Sequence, residues 1–388
     1  MKRIKWIALA LMGLTACSRA PRYEIKGEIS GMPEGVKVYL NAGTGERVAI
    51  DSAVTEKGRF VFSGKMDVPA YCEISIRDNS GDRRKNKTQH LWVENSAISV
   101  TGEWDSLRYD NARIIGSASH DLFLSLDKEL KVLYKQNATL FREYAMNYDR
   151  YAYQGIFTPE YTAAGIEIVK QQREISRKVR ELEENFVKDN SRSAVSIKVL
   201  ENILRSASVY TKEEVRRWLS LIAPELRNTP AYIELEKKAA LYANTARGEK
   251  FIDFAVVDKN GKEGRFSDYV QPGRYTLLEC WASWCGPCRA EIPHLKHVHT
   301  LYGKRFNIIA VSVDQNEAEW KKALQEENPA YLQLRNIPDG WGKRAKHYYG
   351  FHGVPYTLLL DREGRVVESE VRGATLDMIL QEIYEDKK

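Results

Sequence analysis

Cysteine is scarce in this chain, with five residues among 388. Domains that depend on disulfides for their stability are rich in cysteine, so a disulfide framework is excluded as the source of this protein's stability. Cys72 and Cys280 lie in strand-like apolar runs and are expected to be buried thiols. The cysteines left for chemistry or modification are an isolated one near the N-terminus, Cys17, and a close pair, Cys285 and Cys288.

The sequence also lacks an apolar run of the ~20 residues that a transmembrane helix requires. The N-terminus has a shorter run, residues 6–14, after a basic start, which is typical of a signal peptide. The run ends in Leu-Thr-Ala-Cys and resembles a bacterial lipobox, whose cysteine becomes lipidated after cleavage. We therefore predict a lipoprotein signal peptide over residues 1–17 and a lipid anchor in the bilayer through Cys17. An ordinary signal peptide with an incidental cysteine is the alternative.

Basic residues do not form a nucleic-acid-binding pattern. Such a site would combine a basic patch with interleaved aromatic residues. The basic stretch at residues 83–87 contains no aromatic residue and is interpreted as a solvated loop. We therefore expect no nucleic acid partner.

Three regions follow the N-terminus, and each has its own hydrophobic period. Residues 22–117 contain short runs of alternating polarity separated by Gly, Asn and Asp, which predicts a small antiparallel β-sandwich or barrel. Residues 118–247 carry apolar residues at spacings of three, four and seven, which predicts a helical region. Residues 248–388 alternate strands with helices, which predicts an α/β domain. The predicted fold class is therefore multidomain.

Two further expectations concern the packing of these regions. The tyrosines of the helical region are expected to be packing and rim residues; they lie at positions 144, 148, 151, 153, 161 and 210. In the α/β region, strands are predicted at 275–282, 306–314 and 356–367, the last with a hairpin turn at 361–364, and helices at 286–302, 317–328 and 375–386.

The stretch WASWCGPCRAEIP, residues 281–293, holds the cysteine pair. Zinc requires four ligands, and the histidines that follow, His294, His297 and His299, do not supply them. On a helix the first two point away from the face of Cys288, and the third lies roughly 16 Å further along the axis. The sequence has no second Cys-x-x-Cys. We therefore predict no metal site, and we expect no cofactor.

A redox-active pair explains the same stretch. An apolar strand leads to Cys285, and Pro287 is tolerated in the first turn of a following helix, where its missing N–H costs nothing. The free N–H groups and the dipole at a helix start favour a thiolate and lower the pKa of Cys285. Cys288 lies one turn further in. We therefore predict that Cys285 is exposed and attacks a substrate disulfide, and that the more buried Cys288 resolves the mixed disulfide.

Residues 248–388 resemble the thioredoxin family, and specifically its membrane-anchored ResA/TlpA-like thiol–disulfide oxidoreductases. The resemblance rests on WCGPC at residues 284–288 after a strand, on Pro293, and on Val-Pro-Tyr-Thr at residues 354–357. It implies a thioredoxin-like α/β fold with a proline inside the active-site helix. Peroxiredoxins share the broader fold, but they use a lone peroxidatic cysteine, and the WCGPC arrangement argues against their reaction.

The resemblance also implies substrate contacts. The family places a cis proline, here Pro355, against the active disulfide, and the residue before it, Val354, offers its backbone to an extended substrate strand. We expect Trp284, next to the attacking cysteine, to take part in the same substrate contact.

Two acids are candidates for proton transfer. Glu279 lies where thioredoxins often carry a buried aspartate, and Glu291 matches a glutamate that the ResA-like branch uses in proton handling. The resolving thiol must lose its proton as it attacks, and a buried carboxylate with a raised pKa could take it. The alternatives are a structural acid at the sheet edge for Glu279 and a solvated helix residue for Glu291. The sequence leaves open which acid carries the proton.

The functional prediction is an exported, lipid-anchored thiol–disulfide oxidoreductase that faces the periplasm. The Gly-Pro dipeptide between the cysteines matches reducing thioredoxins, so we expect a reductase of protein disulfides that is re-reduced by a membrane thiol donor. The family suggests cytochrome maturation or the rescue of misoxidised proteins. Two alternatives stay open: an oxidant or isomerase, and a binding lipoprotein in which the thioredoxin-like domain is auxiliary.

Overall fold

The structure, a computed structural model, describes residues 22–43, 48–77, 86–108, 110–206 and 210–384. The predicted signal peptide and lipidation site Cys17 lie outside the described residues. The chain divides into two compact units, Met1–Asp121 and Leu122–Lys388. Among the described residues, no helix is both long and apolar enough to span a membrane.

The first unit contains two sheets, which among its described residues have the strand orders β4-β1-β7-β8 and β3-β2-β5-β6. Their strands are β1 (Tyr23–Ser30), β2 (Lys37–Ala42), β3 (Val48–Val54), β4 (Arg59–Gly64), β5 (Ala70–Arg77), β6 (Lys87–Val93), β7 (Ala97–Glu103) and β8 (Arg113–Ile115).

These two sheets form a sandwich around one apolar core. Along β1 buried and exposed residues alternate strictly, because successive side chains of a strand point to opposite faces. Ile25 and Phe62 from one sheet and Leu40 and Ile74 from the other are buried in the same cluster. The predicted β domain is confirmed, with one difference in pairing, since β1 runs parallel to β7 while the other strand pairs are antiparallel.

The first unit also corrects part of the interpretation of residues 83–87. Residues 83–85 lie outside the described residues, whereas Lys87 begins strand β6 instead of a loop. Its ammonium group donates to the carbonyl oxygen of Leu107 at 3.0 Å and lies over the Trp104 ring.

The helical region is confirmed over its described residues. It consists of α1 (Ala118–Tyr144), a π-helical turn (Ala145–Asp149), α2 (Arg150–Ala152), α3 (Pro159–Asp189), α4 (Ala194–Ser206), α5 (Lys212–Leu221) and α6 (Pro230–Tyr242), with 3₁₀ turns at Pro224–Leu226 and Ala243–Thr245. Thr158 caps α3, and Thr211 with Glu214 forms a capping box at the start of α5, which satisfies N–H groups that a helix start leaves free.

The C-terminal region is an α/β domain around a mixed sheet, whose described strands follow the order β10-β9-β13-β12-β11-β14-β15. Its elements are β9 (Ala255–Asp258), β10 (Glu263–Arg265), a 3₁₀ turn (Phe266–Asp268), β11 (Tyr275–Trp281), α7 (Gly286–Tyr302), β12 (Phe306–Ser312), α8 (Glu317–Glu327), β13 (Leu332–Asn336), α9 (Ala345–Tyr349), β14 (Tyr356–Leu360), β15 (Val366–Ser369) and α10 (Ala374–Tyr384). Strands β11, β12 and β13 are parallel, so their carboxyl ends meet at one edge.

The sheet is buried on both faces. One face packs against α9 and the chain before β9, through Leu278, Cys280 and Phe254. The other face packs against α7 and α10, and this second core also contains Tyr148 and Ile166 of the helical region. The helical region and the α/β domain therefore share one hydrophobic core within the second unit.

Candidate active site

The cysteine pair lies at the junction of β11 and α7. Cys285 is the N-cap residue of α7, and its Sγ accepts the backbone N–H of Cys288 at 3.2 Å. The two sulfurs form a disulfide, with the Cα atoms 5.3 Å apart. Cys285 is 4 % exposed and Cys288 is 0 % exposed. Cys288 is the more buried of the two, as predicted, but the expectation of an exposed Cys285 is wrong, because Cys285 belongs to the same buried core and lies against the carbonyl oxygen of Val354.

The proline loop lies directly against the attacking cysteine. The Val354–Pro355 bond is cis, and the carbonyl oxygen of Val354 lies 3.5 Å from Cys285 Sγ. Trp284 is 69 % exposed next to the disulfide. The structure therefore brings Trp284, Val354 and the cysteine pair to the same edge of the sheet, where β11 ends and β14 begins. Pro293 lies inside α7, as expected.

A buried carboxylate positions the loop that carries the cysteines. Asp314, just after β12, accepts the backbone N–H of Ser283 at 2.8 Å and its hydroxyl at 2.7 Å. It also accepts the hydroxyl of Ser312 at 2.6 Å. Sequence reasoning missed this residue. The signal for it is an aspartate at the carboxyl end of a parallel strand next to the strand that leads to the active site.

Glu279 lies on the interior strand β11, between β12 and β14, and not at the sheet edge, so the sheet-edge alternative for it is wrong. Its neighbours two residues away on the strand, Leu277 and Trp281, belong to the core that contains both active-site cysteines. Since residues i and i+2 share a face of a strand, the Glu279 side chain is on the side of α7. It is 1 % exposed, and its Oε1 has no hydrogen-bond partner among the described residues.

Glu291 lies on α7 one turn after Cys288 and is buried, so the solvated-residue alternative is wrong for it too. Its Oε1 accepts the backbone N–H of Gly373 at 2.9 Å and lies 3.0 Å from His294 Nδ1. Arg372 donates to Oε2 at 3.4 Å. The glutamate therefore has three donors from two segments of the chain.

The comparisons with known proteins agree with this geometry. The AhpC/TSA family matches residues 247–369. The C-terminal domain belongs to this thioredoxin-like family. The thiol–disulfide oxidoreductase ResA of Geobacillus thermodenitrificans (strain NG80-2) is 29 % identical over 132 residues, which cover 34 % of this chain and 70 % of that protein.

Solved structures of similar proteins cover the same part of the chain. The thioredoxin domain of a thiol–disulfide oxidoreductase from Bacteroides vulgatus is 29 % identical, with a TM-score of 0.33, and the match covers 36 % of this chain and 97 % of that one. A thiol:disulfide interchange protein from Bacteroides sp. is 29 % identical, with a TM-score of 0.34, covering 37 % and 94 %. Residues 23–123 match DUF4369, a domain of unknown function, which assigns no activity to the β domain.

As a thiol–disulfide oxidoreductase, the thioredoxin-like domain needs a group that exchanges a proton with Cys288, and the two glutamates differ in this respect. Burial raises the pKa of Glu279 to about 8, and the nearby negative charge of Glu291 adds to the rise. Burial also opposes ionisation of Glu291, but its hydrogen bond from His294 and the positive charges of His294 and Arg372 hold its pKa below the usual value. Glu291 is therefore an anion at neutral pH, and Glu279 is mainly protonated.

Residues far away in the sequence complete the surroundings of the thioredoxin-like site. His294 Nε2 lies 2.8 Å from Asp377 Oδ1, and Tyr148 of the helical region donates to Asp377 Oδ2 at 2.5 Å. Sequence reasoning placed His294 away from the site and treated Tyr148 as a packing residue. Neither residue is part of a local motif, so no signal in the sequence could have joined them. Among the described residues, no group of histidine, cysteine and acidic side chains has the arrangement of a metal site.

Proposed function

We propose that this protein is an exported reductase of protein disulfides that works through Cys285 and Cys288. The observation that supports this proposal best is the placement of Cys285 Sγ at the start of α7, where it accepts an N–H. The same N–H and the helix dipole would stabilise a thiolate in the reduced protein.

The reaction follows from the positions of the two sulfurs, with Cys285 at the N-cap of α7 and Cys288 one turn further in. The Cys285 thiolate attacks one sulfur of the substrate disulfide, forms a mixed disulfide and releases the other substrate sulfur as a thiolate. Cys288 then attacks Cys285 Sγ, which releases the second substrate sulfur and leaves the Cys285–Cys288 disulfide. The substrate gains two electrons and the pair loses two. A membrane thiol donor would return the pair to the reduced form.

The substrate chain would bind beside the sulfurs. The Val354 backbone, which contacts Cys285 Sγ, is placed to pair with an extended substrate segment in the β-addition mode. Pro355 follows Val354 on this surface, and the exposed Trp284 ring adds apolar contact area at its rim. A polypeptide can form backbone hydrogen bonds with Val354 and pack against the Trp284 ring at the same time, which supports protein disulfides as the substrate class.

Glu279 is the group that we propose for proton transfer to and from Cys288. Its raised pKa of about 8 means that the carboxyl group is mainly protonated at neutral pH in the disulfide state. This is the state expected after the carboxylate has taken the proton of Cys288 during resolution. Glu291 is less suited to this role, because its pKa is lowered and its oxygens already accept donors.

The direction of electron flow is tested by the reduction potential of the pair. A reductase is expected to equilibrate near the value of thioredoxin, about −270 mV, in glutathione or dithiothreitol buffers. A value near that of glutaredoxin, about −200 to −230 mV, or above it would favour the oxidant or isomerase alternative.

The substrates can be identified by trapping. In Cys288→Ala the mixed disulfide on Cys285 cannot be resolved, so substrates should stay attached and separate from the protein only under reduction. Cys285→Ser with Cys288 intact is the matched control and should trap nothing. If both variants carry the same attached proteins, attack by Cys285 is refuted.

Export and membrane attachment through Cys17 are part of the same proposal. They are supported by the apolar run and the Leu-Thr-Ala-Cys sequence at residues 14–17. A cell-envelope location facing the periplasm would bring the pair to misoxidised proteins or cytochrome precursors. Labelling cells with radioactive palmitate should mark the wild-type protein and leave Cys17→Ser unmarked, whereas equal labelling of both would contradict the anchor.

A further inference from the structure

The π-helical turn of the helical region, Ala145–Asp149, packs behind the active-site helix. Tyr148 in this turn is 2 % exposed and belongs to the same core as Cys285 and Cys288. Its ring lies edge-on to the imidazole of His294, with 6.2 Å between the ring centroids. π-Helical turns occur frequently at functional sites.

A continuous chain of hydrogen bonds runs from this turn to the helix turn beneath the cysteines. Tyr148 donates to Asp377 Oδ2 at 2.5 Å, and Asp377 Oδ1 lies 2.8 Å from His294 Nε2. On the other side of the imidazole, His294 Nδ1 lies 3.0 Å from Glu291 Oε1. Glu291 is three residues after Cys288 on α7. Three elements, the turn, α10 and α7, therefore contribute to one buried network.

The charges in this network follow from its geometry. Each ring nitrogen of His294 faces a carboxylate oxygen, and carboxylates only accept, so both nitrogens must carry protons and the ring is a cation. Asp377 and Glu291 raise the pKa of His294 to about 10 against the opposing effect of burial. Other titratable groups that act on this network are Tyr144, Asp149, Tyr153, Glu279, His297, Tyr331 and Arg372.

We propose that Tyr148 is a positioning residue for the redox reaction: through Asp377 and His294 it keeps Glu291 ionised beneath the cysteine pair, and so favours the disulfide over the dithiol. This inference rests on the proposed function and deepens it, because it assigns to the helical region part of the control of the reduction potential of the cysteine pair. It involves no covalent step of its own.

The coupling has a direct physical cause. Without the Tyr148 hydroxyl, the buried Asp377 carboxylate loses a charge-assisted hydrogen bond and becomes a less stable anion. The proton that His294 Nε2 shares with Asp377 then lies closer to the carboxylate, so the ring carries less positive charge and Glu291 loses part of what stabilises it as an anion. The negative charge of Glu291 disfavours the thiolate of the reduced pair, and a Glu291 with a higher pKa takes up a proton more readily when that thiolate forms, so the change should stabilise the dithiol form.

The test compares Tyr148→Phe with Tyr232→Phe in the full chain. Tyr232 is a matched control, because it is also buried in the helical region and its hydroxyl donates to the carbonyl oxygen of Leu219, outside the network. We expect Tyr148→Phe to shift the equilibrium with glutathione at pH 7 toward the dithiol by about fivefold or more. The control should stay within about twofold of wild type.

A second measurement follows the His294 imidazole by NMR with labelled histidine, with His294→Gln as the variant that assigns its signal. In the wild type the ring should stay protonated through about pH 9, given its pKa of about 10. In Tyr148→Phe it should titrate at lower pH. A change in packing alone would not produce this joint shift in titration and redox equilibrium.

Asp377→Asn tests the same link if Tyr148→Phe does not fold, and it should shift both measurements in the same direction. An unchanged redox equilibrium in a folded variant would overturn the inference, whatever the titration of His294 does. The proposed function fails separately, since it requires only that the wild-type pair cycle between disulfide and dithiol and reduce protein disulfides.

Discussion

At the scale of single residues, two buried glutamates near the cysteine pair differ in charge, because one is mainly protonated and the other is an anion. Glu279 is 1 % exposed and lacks a hydrogen-bond partner for Oε1 among the described residues, whereas Glu291 accepts from Gly373 and contacts His294. The difference in donors, more than the difference in burial, decides which carboxyl group keeps its proton. The site thus holds one ionised carboxylate and one protonated carboxyl group.

Glu279→Gln should raise the free energy of unfolding of the disulfide-containing protein at and above neutral pH. The native pKa of Glu279, about 8, lies above its ordinary value of 4.5. The native state therefore holds a proton that the unfolded state releases, and stability falls as pH rises from about 4.5 toward about 8. Glutamine removes this loss, which amounts to roughly 3–5 kcal/mol at pH 8.

Urea unfolding of wild type and Glu279→Gln at several pH values measures this effect. The two stability curves should approach each other near pH 4.5 and separate with rising pH. A constant difference across this range would contradict the protonated state assigned to Glu279. The same variant should slow resolution by Cys288, because glutamine cannot take a proton.

At the scale of elements, the site is built where a strand, a loop and a helix meet. Strand β11 leads to the cysteines, α7 begins at them, and the loop before β14 brings Val354 against Cys285. The segment between β11 and α7 is held from the neighbouring strand, since Asp314 after β12 binds both the N–H and the hydroxyl of Ser283. The positions of the sulfurs therefore depend on the pairing of β11 with β12.

Asp314→Ala should weaken both the fold and the reaction. It would leave the N–H of Ser283 and the hydroxyls of Ser283 and Ser312 without their acceptor. Unsatisfied buried groups of this kind cost about 1–3 kcal/mol each, and partial relaxation makes a loss of roughly 2–4 kcal/mol the expected total. Denaturant unfolding measures the loss, and the rate of disulfide reduction should fall with it.

Ser283→Ala is the comparison for Asp314→Ala. It removes the hydroxyl but keeps the backbone bond to Asp314, so about 1 kcal/mol of stability should be lost and most of the activity kept. Equal effects of the two variants would show that Asp314 does not hold the loop through its bond to the backbone.

Most helices and strands could be predicted, because the hydrophobic pattern of contiguous residues indicates them. The helix predicted at 286–302 agrees with α7, and the one at 317–328 agrees with α8 to within one residue. One strand that was missed, β13, has only two buried residues, Leu334 and Asn336. Its stability comes from pairing with β12 and with β9, which lies much earlier in the chain, and a local pattern does not report such pairing.

At the scale of the whole molecule, the second unit is held together by a core that crosses the boundary between helical region and thioredoxin-like domain. Helix α3 packs against α10, and Arg173 of α3 forms an ion pair with Glu368 of β15 at 2.6 Å. Ile166 is buried in the same cluster as the active-site cysteines. The helical region is therefore part of the surroundings of the redox site.

Gly165→Ala tests this shared core. In an exposed helix the change would stabilise the protein by about 1 kcal/mol. Here a Cβ at Gly165 would lie 2.3 Å from a ring carbon of Tyr148 and 2.9 Å from the Cβ of Ala374. We expect a net loss of about 1–3 kcal/mol because α3 must move away from the π-helical turn and from α10.

Unfolding in urea, followed by tryptophan fluorescence, measures the effect of Gly165→Ala. Gly340→Ala is the control, because a Cβ at that position meets no atom within 4 Å. A Gly165→Ala protein as stable as wild type would show that the packing between α3 and α10 tolerates an added methyl group.

The sequence by itself determined the parts of this protein that contiguous residues encode. The strand–WCGPC–helix junction predicted the redox pair and its asymmetry, because a helix start offers N–H groups and a dipole wherever it occurs. Only the tertiary structure decided that Glu291 is ionised while Glu279 keeps its proton, and that Tyr148 joins the hydrogen-bond network of Glu291. Charge states inside a protein depend on burial and on which donors converge, and here the donors come from segments more than 80 residues apart along the chain.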